Sequence, residues 1–373
     1  LTAPSGRRLF NTNARNDQLI FLTETGEYQL TVDGVKNNEV TGSYGFRVLD
    51  WEETASKNAI GLNSSISGDF GDNGEQTKFY QFSAEEGQHL YFDRTQGDYR
   101  NYWGLYQSNT DRVNQGIAHW ERLSQWKRLN DDFEVTIPTT DDYTLSLSGY
   151  GDNNSDFEFT IHRSQWLTQD YTLGTETNGE ITAVGDRDYY TFEASAGQRL
   201  YYDALAGSSN IKVRLTAPSG ESMANRNSSD DYWQVLLRET GTYRLQFDGV
   251  KEATGDYGFI LSDRATVSEL PMGETVELTL PQGQENVLYS FEGTAGQQLS
   301  FDFDGSRWEN GVNWRLFDPS NGVIASPRYY SPDFDIGLPN DGLYTLAIVG
   351  NRSAEGSYRF TVRDETVTPI PSS

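Results

Sequence analysis

The chain of 373 residues contains no cysteine, which excludes disulfide staples, thiol nucleophiles and cysteine-ligated zinc. Histidine is nearly as scarce, with only His89, His119 and His162. No Gly-x-Ser-x-Gly elbow, His-Glu-x-x-His pair or P-loop accompanies them. Nothing in the sequence assembles a catalytic triad or a zinc hydrolase, so the chain is expected not to be an enzyme. No apolar run approaches the roughly 18 residues that cross a bilayer as a helix. Positive charge is also short: 29 Lys and Arg stand against 55 Asp and Glu, a formal charge of −26. Such a surface repels nucleic acid and anionic lipid, and it favours divalent cations.

Aromatic residues are abundant, with 22 Tyr and 19 Phe, and Gly is frequent at 36. Together with the near-absence of helical apolar periodicity, this composition points to β-structure. It is organised by repetition. Leu1-Thr2-Ala3-Pro4-Ser5-Gly6 recurs letter for letter as Leu215-Thr216-Ala217-Pro218-Ser219-Gly220. A Tyr-centred strand pattern follows at Tyr28, Tyr143, Tyr243 and Tyr344, about 100 residues apart, which is the size of a domain rather than of a solenoid unit.

Aligning the units on these tyrosines brings further columns together. Ile20, Val135, Val235 and Ile336 form one, and Leu22, Ile137, Leu237 and Leu338 another. After the tyrosine, Leu30-x-Val32, Leu145-x-Leu147, Leu245-x-Phe247 and Leu346-x-Ile348 continue a period of two, one face of a half-buried antiparallel strand. A closing strand is expected at Tyr44-Gly45-Phe46, Phe157-Glu158-Phe159, Tyr257-Gly258-Phe259 and Tyr358-Arg359-Phe360. The front half of a unit appears three times only, as Tyr80-x-Phe82, Tyr190-x-Phe192 and Tyr289-x-Phe291. Each is followed by a Gly-Gln turn (Gly87-Gln88, Gly197-Gln198, Gly296-Gln297) and a second strand. The fold class is therefore all-β: tandem antiparallel β-sandwich domains, jelly-roll or Ig-like, the first one truncated. The expected boundaries are 1–50 for a C-terminal half-sandwich, then 51–163, 164–263 and 264–365 for complete sandwiches, with 366–373 as a linker. Short linkers are expected at Asp50 to Lys57, Arg163 to Gln169 and Asp263 to Glu269.

Gly185-Asp186-Arg187-Asp188-Tyr189-Tyr190-Thr191-Phe192-Glu193-Ala194-Ser195-Ala196-Gly197-Gln198 resembles the opening of a bacterial pre-peptidase C-terminal (PPC) domain. Leu215 to Gly220 and Gly241-Thr242-Tyr243-Arg244-Leu245 resemble its middle and end. The resemblance covers nearly the whole chain and is weakest in 51–163, where Gly71-Asp72 runs into Asn73-Gly74-Glu75 rather than a tight Asp-x-Asp. It implies a jelly-roll-like sandwich of secreted bacterial proteins, found beside proteases or in tandem in surface proteins, with some relatives holding calcium. It supplies no catalytic residue.

Two kinds of candidate site remain. Asp186-x-Asp188 sets two carboxylates in a loop that opens a strand, and Asp152-x-Asn154-x-Asp156 copies the first ligand spacings of a calcium loop. The second lacks the loop glycine and the late glutamate, so it is no EF-hand; Asp and Asn also form turns without metal. Calcium is thus the one cofactor expected, stiffening loops or junctions. The other candidate is a length anomaly. The span from Leu105 to Tyr143 exceeds its counterparts, Leu215 to Tyr243 and Leu316 to Tyr344, by about ten residues, where loops on a rigid scaffold commonly carry binding. The extra segment holds His119, Trp120, Arg122, Trp126, Lys127 and Arg128. Trp and Arg dominate binding hot spots, so Trp120, Trp126, Arg122 and Arg128 are the candidate partner-binding residues. The alternative is a longer hairpin whose rings cover a sheet edge. Trp103, which shares a column with Val213 and Trp314, is expected in the core.

The expected function is a non-enzymatic, extracellular or cell-surface segment of a large bacterial protein, a stalk or adhesive array. Its partners would be a surface or matrix polymer, protein or polysaccharide, or neighbouring copies of the chain, with no nucleic acid and no membrane span. An accessory substrate-binding region of a secreted hydrolase is the second reading. A filament completed by β-augmentation of the truncated first domain is the third.

Overall fold

The computed structural model describes residues 1–13, 18, 20, 22–34, 42–71, 77–108, 120–122, 127–149, 156–230, 234–280, 286–304, 313–326, 333–349 and 356–366. The protein is almost entirely β, with one short helix among the described residues. It divides into two compact units, Leu1–Arg163 and Ser164–Ser373. The first holds one β-sandwich behind a short opening segment, and the second holds two.

All three sandwiches share one topology. In the sandwich that begins at Trp166, one sheet runs in the order Trp166–Asp170, Arg187–Ala194, Gly241–Gly249, Ile211–Thr216, Ser222–Asn227. The facing sheet runs Thr177–Ile181, Gly255–Asp263, Arg199–Ala206, Gln234–Leu236. The next sandwich repeats this order with Ser268–Glu269, Val287–Gly293, Gly342–Val349, Asn313–Phe317 and Val323–Ala325 facing Thr275–Leu280, Gly356–Asp364, Gln298–Asp304 and Phe334–Gly337. The sandwich of the first unit repeats it without the parallel edge strand, where only a single bridge Ala59–Gln81 stands, with Lys78–Ala84, Asp141–Ser148, Tyr102–Ser108 and Trp120–Arg122 facing Ser65–Asp69, Asp156–Ser164, His89–Gln96 and Phe133–Thr136.

The period-2 columns are the cores. Tyr190, Phe192, Tyr202, Val213, Leu215, Leu245, Phe247, Tyr257 and Phe259 interdigitate in one sandwich. Trp314, Leu316, Phe301, Leu346, Ile348 and Phe360 do so in the next. Trp103, Leu105, Phe92, Leu145, Leu147 and Phe159 fill the third, so Trp103 is a core residue as its column predicted.

The tyrosine column has a physical reason beyond burial. Tyr243 Oη donates to the carbonyl of Glu239 at 2.8 Å and accepts from its N–H at 3.2 Å. Tyr344 does the same with Asn340, at 2.7 and 3.1 Å, and Tyr28 with Glu24, at 2.8 and 2.9 Å. Tyr143 donates to the carbonyl of Thr139 at 2.6 Å. Each is a tyrosine corner that ties a strand to the loop entering it.

A second column couples to it. Gly26, Gly241 and Gly342, two residues before their tyrosines, have φ of +145°, +146° and +125° and face Pro4, Pro218 and Pro319. A Cβ at Gly26 would stand 2.9 Å from the Pro4 ring, which no side chain tolerates. The first unit's sandwich has Asp141 and Ser108 in these two places, losing glycine and proline together. Identical wording also gives identical bonds: the carboxylate of Glu24 holds Ser5 N and Oγ at 2.9 and 2.8 Å, and that of Glu239 holds Ser219 N and Oγ at 2.9 and 2.7 Å.

Two expectations are corrected. The linkers are parts of the sandwiches. Trp166–Asp170 and Ser268–Glu269 pair parallel to Arg187–Ala194 and Val287–Gly293 as edge strands. Asp50 caps a helix, Trp51–Ser56, by accepting from Glu53 N at 3.2 Å. Trp51 packs edge-on against Phe79 and Tyr106 at 5.8 and 5.3 Å, so this helix covers the outer face of its sheet. The second correction concerns Tyr44-Gly45-Phe46, which forms no strand. Its counterpart Gly255–Asp263 is held between two neighbours, and neither is found among the described residues of 1–50.

Replacing Tyr243 or Tyr344 by Phe keeps the packed ring and removes only the hydroxyl. Each change is expected to lower stability by about 1–2 kcal/mol in urea unfolding, since a partly buried N–H and C=O lose their partner. The same change at Tyr28 is expected to leave the three sandwiches unaffected.

Candidate functional site

The Asp186-x-Asp188 pair lies where Arg187–Ala194 begins, and both residues are buried. Asp186 Oδ1 accepts from Gln165 N at 2.6 Å, and its Oδ2 accepts from Thr182 Oγ1 and Ala183 N, both at 2.9 Å. The carboxylate thus closes the loop that enters the strand. Asp188 points inward and accepts from Tyr257 Oη, which also shares a hydrogen bond with Tyr190 Oη at 2.9 Å. Burial raises the Asp188 carboxyl above the ordinary aspartate range, against the Tyr257 hydrogen bond, and Asp186 adds to the rise. Both carboxylates are therefore committed to protein donors. Asp152 and Asn154 lie outside the described residues. Asp156 is exposed at the start of its strand, directly opposite Asp69. Among the described residues no group of three or more acidic or histidine side chains could hold a metal ion.

Of the candidate binding residues, Trp126 lies outside the described residues. The backbone of Trp120 and Arg122 forms a strand, Trp120–Arg122, paired with Tyr106, Gln107 and Ser108 at the sheet edge. Arg128 sits in Lys127–Arg128, opposite Tyr102 on the same strand, and is exposed. Both short strands pair with Tyr102–Ser108. His119 lies outside the described residues, and His162 Nε2 meets Asp93 Oδ2 at 3.2 Å.

The most built polar site is the seam between the two sandwiches of the second unit. An antiparallel sheet ordinarily buries one face, yet Gly342–Val349 and Arg199–Ala206 are buried almost continuously along both. Their outward residues meet: Tyr201 from one sandwich packs with Phe317, Ala347, Val349 and Leu288 from the other. Tyr201 and Phe317 lie edge-on at 6.3 Å.

Arg264, the residue joining the two sandwiches, is fully buried in this seam. Its backbone N–H donates to Arg199 O at 2.8 Å. Nε donates to Thr345 Oγ1 at 2.7 Å, and Nη1 donates to Gln234 Oε1 at 3.1 Å and to Asn321 Oδ1. The guanidinium lies over the Phe317 ring, 5.6 Å from its centroid. Burial, with the charge of Arg199, brings its pKa down to about 10, so it stays charged at neutral pH. A second clamp stands beside it: the buried carboxylate of Asp203 accepts from Asn286 N at 2.9 Å and Asn286 Nδ2 at 2.6 Å.

The exit of the last sandwich shows what the seam adds. Glu365 N donates to Gln298 O at 2.8 Å, repeating Arg264 N on Arg199 O. Gln297 Nε2 reaches Asp364 at 2.8 Å as Gln198 Nε2 reaches Asp263 at 2.7 Å. The backbone device is common to both exits, and only the first places an arginine at its end. Sequence reading missed Arg264, Asp203 and Asn286. The available signal was apolar residues in outward columns: Leu288, Phe317, Ala347 and Val349 stand where the preceding sandwich has Tyr189, Thr216, Gln246 and Asp248.

No known protein family matches the chain, and no curated protein matches it. Among solved structures it is similar to PliG of Aeromonas hydrophila, a periplasmic inhibitor of g-type lysozyme: 20% identity over 26% of this chain and 97% of that one, TM-score 0.24. It is also similar to the pre-peptidase C-terminal domain of collagenase from Bacillus anthracis, with 20% identity, 28% and 92% coverage and a TM-score of 0.19. The CUB1-EGF-CUB2 domains of rat MASP-1 match at 10% identity, over 53% of this chain and all of that one, TM-score 0.18. These likenesses are too distant to assign a role to any residue.

Arg264→Ala leaves the buried Thr345 and the part-buried Gln234 and Asn321 without this donor, and about 1–3 kcal/mol is expected to be lost from the seam. Calorimetry should then separate the two sandwiches of the second unit into distinct transitions; a single unchanged transition would contradict the coupling. A chelator is expected to leave the hydrogen-exchange protection of 164–366 unchanged, because Asp186 and Asp188 are held by protein donors. Loss of protection around Asp186 on chelation would return calcium to that pair.

Proposed function

We propose that this chain is a non-enzymatic, extracellular scaffold segment, a stalk or array that carries a recognition surface on one of its sandwiches. The observation that supports this reading most directly is the seam at Arg264. Two repeats of one fold are fixed to each other by a buried guanidinium, an apolar cluster and the Asp203–Asn286 clamp. Such coupling of whole domains serves mechanical continuity, whereas freely linked domains move relative to one another by default. No helix among the described residues is long and apolar enough to cross a membrane.

Recognition is assigned to the one place where the repeat is enlarged. Strands Trp120–Arg122 and Lys127–Arg128 lie at a sheet edge, and Trp120, Arg122, Trp126 and Arg128 add aromatic and cationic residues to the sequence of an acidic protein. A surface polymer, polysaccharide or acidic protein, is the partner such residues suit. Calcium enters this reading only through Asp152, Asn154 and Asp156.

The double substitution Trp120→Ala, Trp126→Ala tests the assignment. Binding to a panel of polysaccharides and matrix proteins is expected to fall at least about tenfold, with the melting profile unchanged. A cooperative loss of the 51–163 sandwich instead would show that these rings cover a sheet edge and bind nothing.

A further inference from the structure

Two arginines meet in the seam of the second unit, and neither is paired with an acid. Arg264 N–H donates to Arg199 O at 2.8 Å, and the charge of Arg199 acts on the Arg264 guanidinium. Arg264 spends Nε and Nη1 on three neutral acceptors, Thr345, Gln234 and Asn321. Its Nη2 is buried without a hydrogen bond, and so is Nε of Arg199. Neither guanidinium takes part in an ion pair among the described residues. Asp263 accepts from Ala265 N and Gln198 Nε2 at 3.0 and 2.7 Å, and Asp318 accepts from Gly322 N at 2.7 Å. The hydrogen bonds of these two carboxylates thus run to neutral donors and close on no arginine.

Beside the pair lies a cavity of about 350 Å³. Arg199, Asp263 and Ala265 line it from one sandwich and Leu343 from the other, and the exposed Gly197 gives it access to solvent. The backbone donors of the nearby turn are already used. Gly197 N donates to Leu237 O at 2.8 Å, Gln198 N to Ser195 O at 3.2 Å and Ala196 N to Thr240 Oγ1 at 3.0 Å. The unspent donors are those of the two guanidinium groups. Water satisfies such donors, yet it leaves two like charges side by side where burial has weakened screening. An anion answers both needs. A guanidinium presents its N–H groups in a planar fork that matches the oxygens of an oxyanion, so directed hydrogen bonds favour an oxyanion over chloride.

We propose that the seam is a binding site for a free tetrahedral oxyanion, phosphate or sulfate, held by Arg199 and Arg264, and that the bound ion strengthens the joint. Both arginines belong to the first of the two sandwiches, but Thr345, Asn321 and Phe317, which hold Arg264 in place, belong to the second. The site is complete only while the sandwiches are docked. Binding therefore stabilises the docked arrangement, in proportion to one plus the ratio of free ion to its dissociation constant.

The test titrates the full chain with sodium phosphate, with sodium chloride adjusted to hold the ionic strength constant. Titration calorimetry is expected to show a single saturable site, and sulfate should compete for it. Hydrogen exchange at Arg264, Ala265 and 343–349 should slow about tenfold once phosphate stands at about ten times its dissociation constant. Arg199→Met should remove this response and leave the phosphate-free seam melting at or above the parent temperature. The Arg199 guanidinium forms no hydrogen bond with the described residues, and its charge opposes that of Arg264. Arg199→Lys, which keeps the charge and loses the fork, should weaken binding at least about fivefold. Arg226→Gln, an exposed position of the same sandwich, should change nothing. Absence of a saturable response would overturn the proposal and leave the cavity to water. An equal response to chloride would overturn it in favour of general screening, and an undiminished response in Arg199→Met in favour of an ion bound elsewhere. If Arg199→Met disrupts the seam without phosphate, the Arg199→Lys chain decides, and unchanged affinity there overturns the proposal.

Discussion

Each sandwich is closed by a tyrosine hydroxyl returned to the backbone four residues earlier. The bond satisfies a loop carbonyl at the point where the chain turns into its central strand, so the ring can be buried with its polar end occupied. Much else follows from that position. In the two sandwiches of the second unit the glycine two residues before the tyrosine lies against a proline, and in the one that begins at Trp166 the Gly-Gln turn pairs with the same loop through Gly197 N on Leu237 O and Leu237 N on Gln198 O, at 2.8 and 2.9 Å. The two sheets are thereby joined where the strands change sheet. The corner also forms at Tyr28, outside the three sandwiches, so it is a local device.

A sheet has two faces, and the three sandwiches treat the outer one differently. In the first unit, the helix Trp51–Ser56 lays Trp51 on Phe79 and Tyr106. In the last sandwich the corresponding face carries Leu288, Phe317, Ala347 and Val349, and it meets Tyr201 and Arg264 of the sandwich before it. A buried arginine is costly to desolvate, and here the cost is offset by three acceptors and an aromatic face. Such a site is directional: Nε and Nη1 find their acceptors in this arrangement of the two sandwiches, while Nη2 is buried without a partner. That is a physical basis for a fixed joint rather than a greasy one.

The acidic pairs show how the same residue type serves opposite ends. Asp186 gathers three donors and ties down a loop, whereas Asp188 is buried with a tyrosine hydroxyl and its proton affinity rises. Spacing alone could not separate these roles from metal binding, because Asp-x-Asp in a loop is the local pattern of both. Gln165, Thr182, Ala183 and Tyr257, which come from other segments of the chain, give the two carboxylates their different surroundings.

The sequence by itself determined the fold class, the repeat and the core. Period-2 alternation and a recurring tyrosine are local signals, read along one strand at a time, and Trp103, Leu245 and Phe360 lie where those columns put them. Residues 1–50 carry the columns of a second half only. What tertiary structure decided was everything that depends on a second surface. Arg264, in the four residues between Gly255–Asp263 and Ser268–Glu269, looks like any solvated linker cation, and only the approach of Phe317, Thr345 and Asn321 makes it the centre of a seam. Tyr44-Gly45-Phe46 reads as a strand as well as Tyr257-Gly258-Phe259 does, yet it forms none. A strand is a relation between neighbours, and its residues can specify the pattern without supplying the partner.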